Sequence, residues 1–300
     1  MKTLEDIQIR DPFVVPLERE GRYYMYGSTD SNIWGKGTGF DAYVSEDLAT
    51  WDGPLPVFRP DENFYSDTNF WAPEVYQVGE RWYMFATFRR KDNDLLGTAV
   101  LVAESPLGPF VPHSDGPVTP VEWSSLDGSL HLDSEGNPWM VFCHEWQQTG
   151  DGEVRAVRLS ADLKRAEGEP ILLFKASEAP WTTPFLHKRY PGRNNYVTDG
   201  PYLFHGEDGV LNMLWASFID NRYALGLARS RSGDVMGPWE QAPDPLYRDD
   251  GGHGMVFRTF GGERLLAVHA PNQTPDERPI FLRLEEADGG IRTNGRYAPE

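Results

Sequence analysis

The sequence predicts an all-β protein and, within that class, a five-bladed β-propeller. Three observations carry this. Long amphipathic helical patterns are absent. A polar, glycine-bearing turn followed by an aromatic strand recurs, as in LEREGRYYMYGS, QVGERWYMFAT and DSEGNPWMVFC. Five such units follow one another along the chain, each opened by a polar landmark, and repetition of this kind decides a fold before any local pattern does.

The units run in order. IRDPFVV leads to GRYYMYGS, WAPEVYQV to ERWYMFAT, SLDGSLHLD to GNPWMVFC, VTDGPYLF to GVLNMLWAS, and GGHGMVFRT to GERLLAVHA. A third strand closes each unit: FDAYVSEDLATW, TAVLVAESPLGPF, VRAVRLSADL, YALGLARSRS and RPIFLRLEE. The 30 glycines and 24 prolines suit many strands joined by turns. A β-sandwich is the alternative, but it gives no reason for a polar landmark at the start of every unit. In a propeller the innermost strands face one axis, so Asp11, Glu74, Asp127, Asp199 and His253 are expected to converge there. Residues 28–42 and 176–196 read as insertions that shape a pocket rim. No linker or break in composition interrupts residues 1–300, which read as a single catalytic domain.

A net charge of −18 argues against nucleic-acid or membrane partners. The single cysteine, Cys143, lies in an apolar run and reads as a core thiol. The N-terminus shows no apolar leader segment, and the expected location is cytoplasmic. Nothing in the sequence sets the oligomeric state.

Four carboxylates and an imidazole around one axis would make a poor core. Like charges confined together push their pKa values apart, which turns one side-chain type into both an acid and a base. Hydrolysis of a glycosidic bond needs that pair. Trp34, Trp71, Trp123, Trp146 and Trp181 are candidates to stack on sugar faces. Each feature also has a plainer reading. Asp-Gly and Asp-Pro pairs are common turn signals, and Asp133 is read as a turn for that reason. Tryptophans are usually core, and a histidine between glycines can be a satisfied core residue.

In this order, RDPFVV, FWAPEVY, LDGSLHLDSEGNPWMVF, TDGPYLF and GGHGMVF resemble glycoside hydrolase family 43, over about residues 7–285. That resemblance implies a five-bladed propeller and an inverting glycosidase, acting mainly on α-L-arabinofuranosides and β-xylosides. It implies that Asp11 is the general base, that Asp127 raises and orients the acid, and that Glu74 serves substrate binding or pocket structure rather than catalysis. The family's acid is normally a glutamate in Glu-Gly-Pro, where this chain has Asp199-Gly200-Pro201. Aspartate is one methylene shorter, a loss of roughly 1.5 Å of reach. Either Asp199 remains the acid or Glu178, in a Glu-Ala-Pro context within the second insertion, takes its place. The resemblance also implies a hydrated Ca²⁺ beside His253 near the axis, with the contact through water, and no organic cofactor. Propellers that cleave fructosides share the Arg-Asp-Pro motif but need an Asn-Asp-Pro aspartate, which is missing here.

The expected activity is exo-cleavage of terminal α-L-arabinofuranosyl residues from short oligosaccharides or from arabinan and arabinoxylan side chains. β-Xylosidase and galactofuranosidase activity are the alternatives within the fold. A catalytically impaired carbohydrate-binding propeller is the alternative outside enzymology, motivated by the Glu-to-Asp departure.

Overall fold

A computed structural model describes residues 1–287 and 290–299. It is built from five four-stranded antiparallel sheets, each formed by consecutive strands. Blade I contains β1 (Arg10–Leu17), β2 (Arg22–Ser28), β3 (Phe40–Ser45) and β4 (Asp52–Phe58). Blade II contains β5 (Ser66–Val78), β6 (Arg81–Arg90), β7 (Leu96–Ala103) and β8 (Val111–Pro117). Blade III contains β9 (Ser125–Leu132), β10 (Pro138–His144), β11 (Glu153–Leu159) and β12 (Ala166–Lys175), with a one-turn helix α1 (Trp146–Thr149) after β10. Blade IV contains β13 (Asp199–His205), β14 (Leu211–Ile219), β15 (Arg222–Ser230) and β16 (Trp239–Gln241). Blade V contains β17 (Gly252–Arg258), β18 (Arg264–Ala270), β19 (Arg278–Ala287) and β20 (Gly290–Arg296). β1 packs against β5 on one side and β17 on the other, which closes the ring.

The core is five separate layers, one between each pair of neighbouring blades. Successive side chains of a strand point to opposite faces, and the middle strands use both. On β6, Trp82, Met84, Ala86 and Phe88 pack toward blade I, while Phe85 packs toward blade III. On β18, Leu265 and Ala267 join the layer with blade I, and Leu266 and Val268 the layer with blade IV. A strand buried on both faces reads as an unbroken apolar run rather than an alternation. This is why the aromatic runs stand out in the sequence. Cys143 is fully buried among such residues.

Each innermost strand is interrupted at the same place. Its register against the next strand slips by one residue, between Arg10 and Phe13, Trp71 and Glu74, Leu126 and Ser129, Asp199 and Tyr202, and Gly252 and Met255. The extra residue is a β-bulge, and it carries a left-handed backbone: Asp11 (φ 54°), Ala72 (φ 46°), Asp127 (φ 57°), Gly200 (φ 51°) and His253 (φ 48°). Proline or glycine follows in every case: Pro12, Pro73, Gly128, Pro201 and Gly254. The landmarks therefore match in blades I, III and V. In blades II and IV the equivalent residues are Ala72 and Gly200, not Glu74 and Asp199.

A bulge frees a backbone amide from the ladder, and a buried amide needs a partner. Four of these amides find a side chain on the preceding blade of the ring. Ala72 N donates to Ser28 Oγ (2.8 Å), Asp127 N to Thr87 Oγ1 (2.8 Å), Gly200 N to Asp127 Oδ2 (3.0 Å) and Asp11 N to His269 Nδ1 (3.2 Å). Among the described residues, no helix is long and apolar enough to cross a membrane.

Candidate active site

The bulges open onto a cavity of about 570 Å³ at the ring's axis, lined by Arg10, Asp11, Asp127, Glu145, Asp199 and His253 among others. Its rim comes from three segments: Ile33 and Trp34 of the first insertion, Phe185 and His187 of the second, and residues 272–274 after β18.

Asp11 is the most heavily supported carboxylate. Ser28 Oγ donates to its Oδ2 at 2.7 Å, and His253 Nδ1 stands 3.1 Å from its Oδ1. Burial opposes its ionisation, but His253, His269, Arg10 and the Ser28 hydroxyl outweigh burial, and the carboxyl lies below its ordinary value. Burial, helped by Arg10, takes the His269 imidazole down to about 3. A neutral ring fits the geometry, since His269 Nδ1 accepts the Asp11 amide. Its Nε2 faces Asn272 Oδ1 at 3.4 Å, an oxygen that also accepts from Arg10 Nη2 at 2.5 Å.

Asp127 and Asp199 behave in the opposite way. Burial, then the charges of Asp199 and Asp11, push Asp127 well above the usual carboxylate range. Burial pushes Asp199 up to about 6, with Asp11 adding, against the hydroxyl of Tyr223, which donates to Asp199 Oδ2 at 3.0 Å. The cavity thus keeps one carboxylate charged, Asp11, and pushes another, Asp127, toward its protonated form, with Asp199 between them, the division that acid–base chemistry requires.

Glycine is obligatory at position 200. An added Cβ would meet the His253 ring at 2.6 Å, on a backbone that side chains rarely adopt. The fourth bulge is therefore bare so that the fifth can place an imidazole beside it.

Several expected site residues lie elsewhere. Glu178 is exposed on a 3₁₀ turn after β12, where its Oε1 accepts the Lys175 amide, and it does not line the cavity. Glu74 is buried away from the cavity lining, with its Oε2 accepting from the Tyr76 hydroxyl, and burial raises its carboxyl to about 8. Trp181 is core rather than a sugar platform. It packs on Trp215 at 5.0 Å and lies close over Gly226. Trp123 stacks on His144 at 4.2 Å, outside the cavity. Trp34, Trp71 and Trp146 do line it; Trp34 is 63% exposed and meets Trp71 edge-on at 5.2 Å. Asp133 forms the expected turn, its Oδ1 accepting from the amides of Glu135 and Asn137.

A hydrated Ca²⁺ beside His253 is not supported by the donor set. The Nδ1 of His253 faces Asp11, and Nε2 lies against Gly200. Among the described residues, no three His, Cys, Asp or Glu side chains gather as metal ligands. No step is routed through a cation.

The cavity also holds residues that the landmarks did not point to. Glu145 follows β10, and Tyr223 is the second residue of β15. In the sequence, Glu145 stands in CHEW, a carboxylate between an apolar strand and a tryptophan. That is the same oddity as Arg-Asp-Pro inside an apolar run, but at a strand's end rather than its start. Tyr223 carries no such signal.

The family described as Glycosyl hydrolases family 43 matches residues 6–290. The chain belongs to this family. A protein of known structure, endo-arabinase from Bacteroides thetaiotaomicron VPI-5482, is 42% identical with a TM-score of 0.88, covering 96% of this chain and 98% of that one. The extracellular exo-alpha-(1->5)-L-arabinofuranosidase ArbA of Cellvibrio japonicus is 24% identical over 54% of this chain and 46% of its own length. The extracellular endo-alpha-(1->5)-L-arabinanase of Thermotoga petrophila is 23% identical over 65% of this chain and 42% of its own length. The matches thus span less than half of these two relatives. Both are named extracellular, which overturns the cytoplasmic expectation. The first residues of a chain do not by themselves fix its compartment.

Proposed function

We propose that this family 43 glycosidase hydrolyses α-L-arabinofuranosidic bonds with inversion, releasing terminal arabinose from short oligosaccharides or side chains. The observation that carries the reading is the convergence in one cavity of Asp11, held charged, Asp127, pushed well toward its protonated form, and Asp199, which burial raises to about 6 against the Tyr223 hydroxyl. Asp11 accepts a proton from the attacking water as its oxygen bonds to the anomeric carbon. A protonated carboxyl on the facing wall gives its proton to the leaving oxygen. Asp127 accepts the Gly200 amide and ties blade III to blade IV, so it fixes the spacing of that wall. Trp34 and Trp71 offer apolar faces at the mouth.

A rim contributed from three sides favours binding a chain end. The 42% identity to a protein named endo-arabinase favours a second reading, cleavage within arabinan. Two measurements test both. Proton NMR of the first-formed arabinose gives the β-anomer if the reaction inverts, and the α-anomer overturns the mechanism. Digestion of linear arabinan yields arabinose alone for exo cleavage and a ladder of oligomers for endo cleavage.

A further inference from the structure

We propose that Glu145 is the proton donor to the leaving oxygen, filling the place that the shortened Asp199 leaves. The proposal rests on the hydrolase reading above and assigns a residue within it.

The position comes first. Glu145 lines the same cavity as Asp11, Asp127 and Asp199, and it is 5% exposed. It follows β10 of blade III, which does not border blade I, so it stands across the ring from the base.

Its side chain is held without being neutralised. The Glu145 amide donates to Ser124 O at 2.9 Å, and Glu145 Oε2 accepts the Gln147 amide at 3.1 Å. No described residue hydrogen-bonds to Oε1. Two guanidinium groups are close enough to matter, and both are engaged elsewhere. Arg89 donates to Asn69 Oδ1 and Asp94 O, and Arg193 to Asn195 Oδ1 and to the carbonyls of Trp146 and Gln147. A buried carboxyl with no cationic partner is costly as an anion, so it keeps its proton or meets a ligand.

Asp199 is differently placed. The Tyr223 hydroxyl donates to its Oδ2, a contact that favours the carboxylate. A charged Asp199 in turn favours the protonated form of Glu145. Burial, with that charge added, raises Glu145 to about 8 despite the Gln147 amide, Arg89 and Arg193. Asp199 is then a positioning residue that keeps its neighbour protonated. In the reaction, the Glu145 O–H bond breaks as its proton passes to the glycosidic oxygen, and the anomeric C–O bond breaks with its electron pair leaving on that oxygen. Water supplies the new C–O bond, and its proton goes to Asp11. Solvent exchange restores both carboxyls.

A leaving group that needs no proton distinguishes the donor from its neighbours. The test compares Glu145→Gln and Asp199→Asn on an arabino-oligosaccharide and on 4-nitrophenyl α-L-arabinofuranoside. Glutamine keeps the acceptor for the Gln147 amide. Glu145→Gln is expected to lose about 10²–10⁴-fold of kcat on the oligosaccharide and under about tenfold on the nitrophenyl glycoside. Asp199→Asn removes the charge that favours the protonated acid. It is therefore expected to move the basic limb of the pH–rate profile downward and to lose less kcat on the oligosaccharide than Glu145→Gln, which removes that limb. Equal losses on the two substrates in Glu145→Gln, no loss, or a basic limb that survives in Glu145→Gln overturns the assignment. If Glu145→Gln does not fold by circular dichroism, Glu145→Asp takes its place, with a smaller but still selective loss expected. Wild type that cleaves neither these nor the corresponding xylosides and galactofuranosides overturns the hydrolase reading and this assignment together. Wild-type turnover with an unselective variant overturns the assignment alone.

Discussion

His253 Nδ1 stands 3.1 Å from Asp11 Oδ1, although the two residues open the last and first blades of the ring. The contact spans the closure of the propeller, so the charge state of the proposed base depends on the ring being shut. Burial shifts His253 downward while Asp11 draws it upward, so the two groups set each other's charge.

Replacing Asp11 by Asn should abolish turnover while leaving the fold intact. Loss of a general base costs about 10²–10⁴-fold. Steady-state release of arabinose, with a thermal melt as control, checks this; activity within tenfold of wild type would remove Asp11 from the mechanism.

Replacing His253 by Ala should move the acidic limb of the pH–rate profile upward. His253 is one of the groups that hold the Asp11 carboxyl below its ordinary value, and without it that carboxyl protonates at higher pH. In wild type, activity needs Asp11 ionised, so it is present above the lowered pKa and lost as pH falls through it. An unmoved limb in kcat/KM would show that Arg10, His269 and Ser28 suffice.

The two outlying tryptophans should separate cleanly. Trp181→Ala empties a core layer and should cost about 3–5 kcal/mol of stability, read as a lowered Tm with kcat retained at low temperature. Trp34→Ala removes an exposed ring and should change stability by about 0.5 kcal/mol or less, while KM for oligosaccharides rises.

Gly200→Ala should injure the site through His253. The new Cβ would lie 2.6 Å from the imidazole, on a backbone with φ of 51°. A strained left-handed residue alone costs about 1–3 kcal/mol. The combined effect should lower both Tm and kcat, and a variant matching wild type in both would refute the packing argument.

The fold could be read from the sequence because its middle strands are buried on both sides and leave long aromatic runs between glycine turns. Asp11, Asp127 and His253 were legible because a polar residue at a bulge interrupts such a run. Glu74 and Asp199 looked equivalent for the same reason, but they stand two residues after and one residue before the bulge, and only Asp199 still lines the cavity. Glu145 lies where a strand ends, a place where polar residues arouse no suspicion. The tryptophans could not be sorted at all, since the same ring serves as core at Trp181 and as rim at Trp34, and only the neighbouring chain tells them apart.

The bulge prescribes very little at its extra residue. It asks for a left-handed backbone followed by proline or glycine, and the five occupants here are Asp, Ala, Asp, Gly and His. A scaffold that fixes the direction of the side chain at a bulge while tolerating such different identities separates architecture from chemistry. New reactivity can then arise by single replacements at the bulges other than Gly200, where the His253 ring fills the space, with the strands around them left as they are.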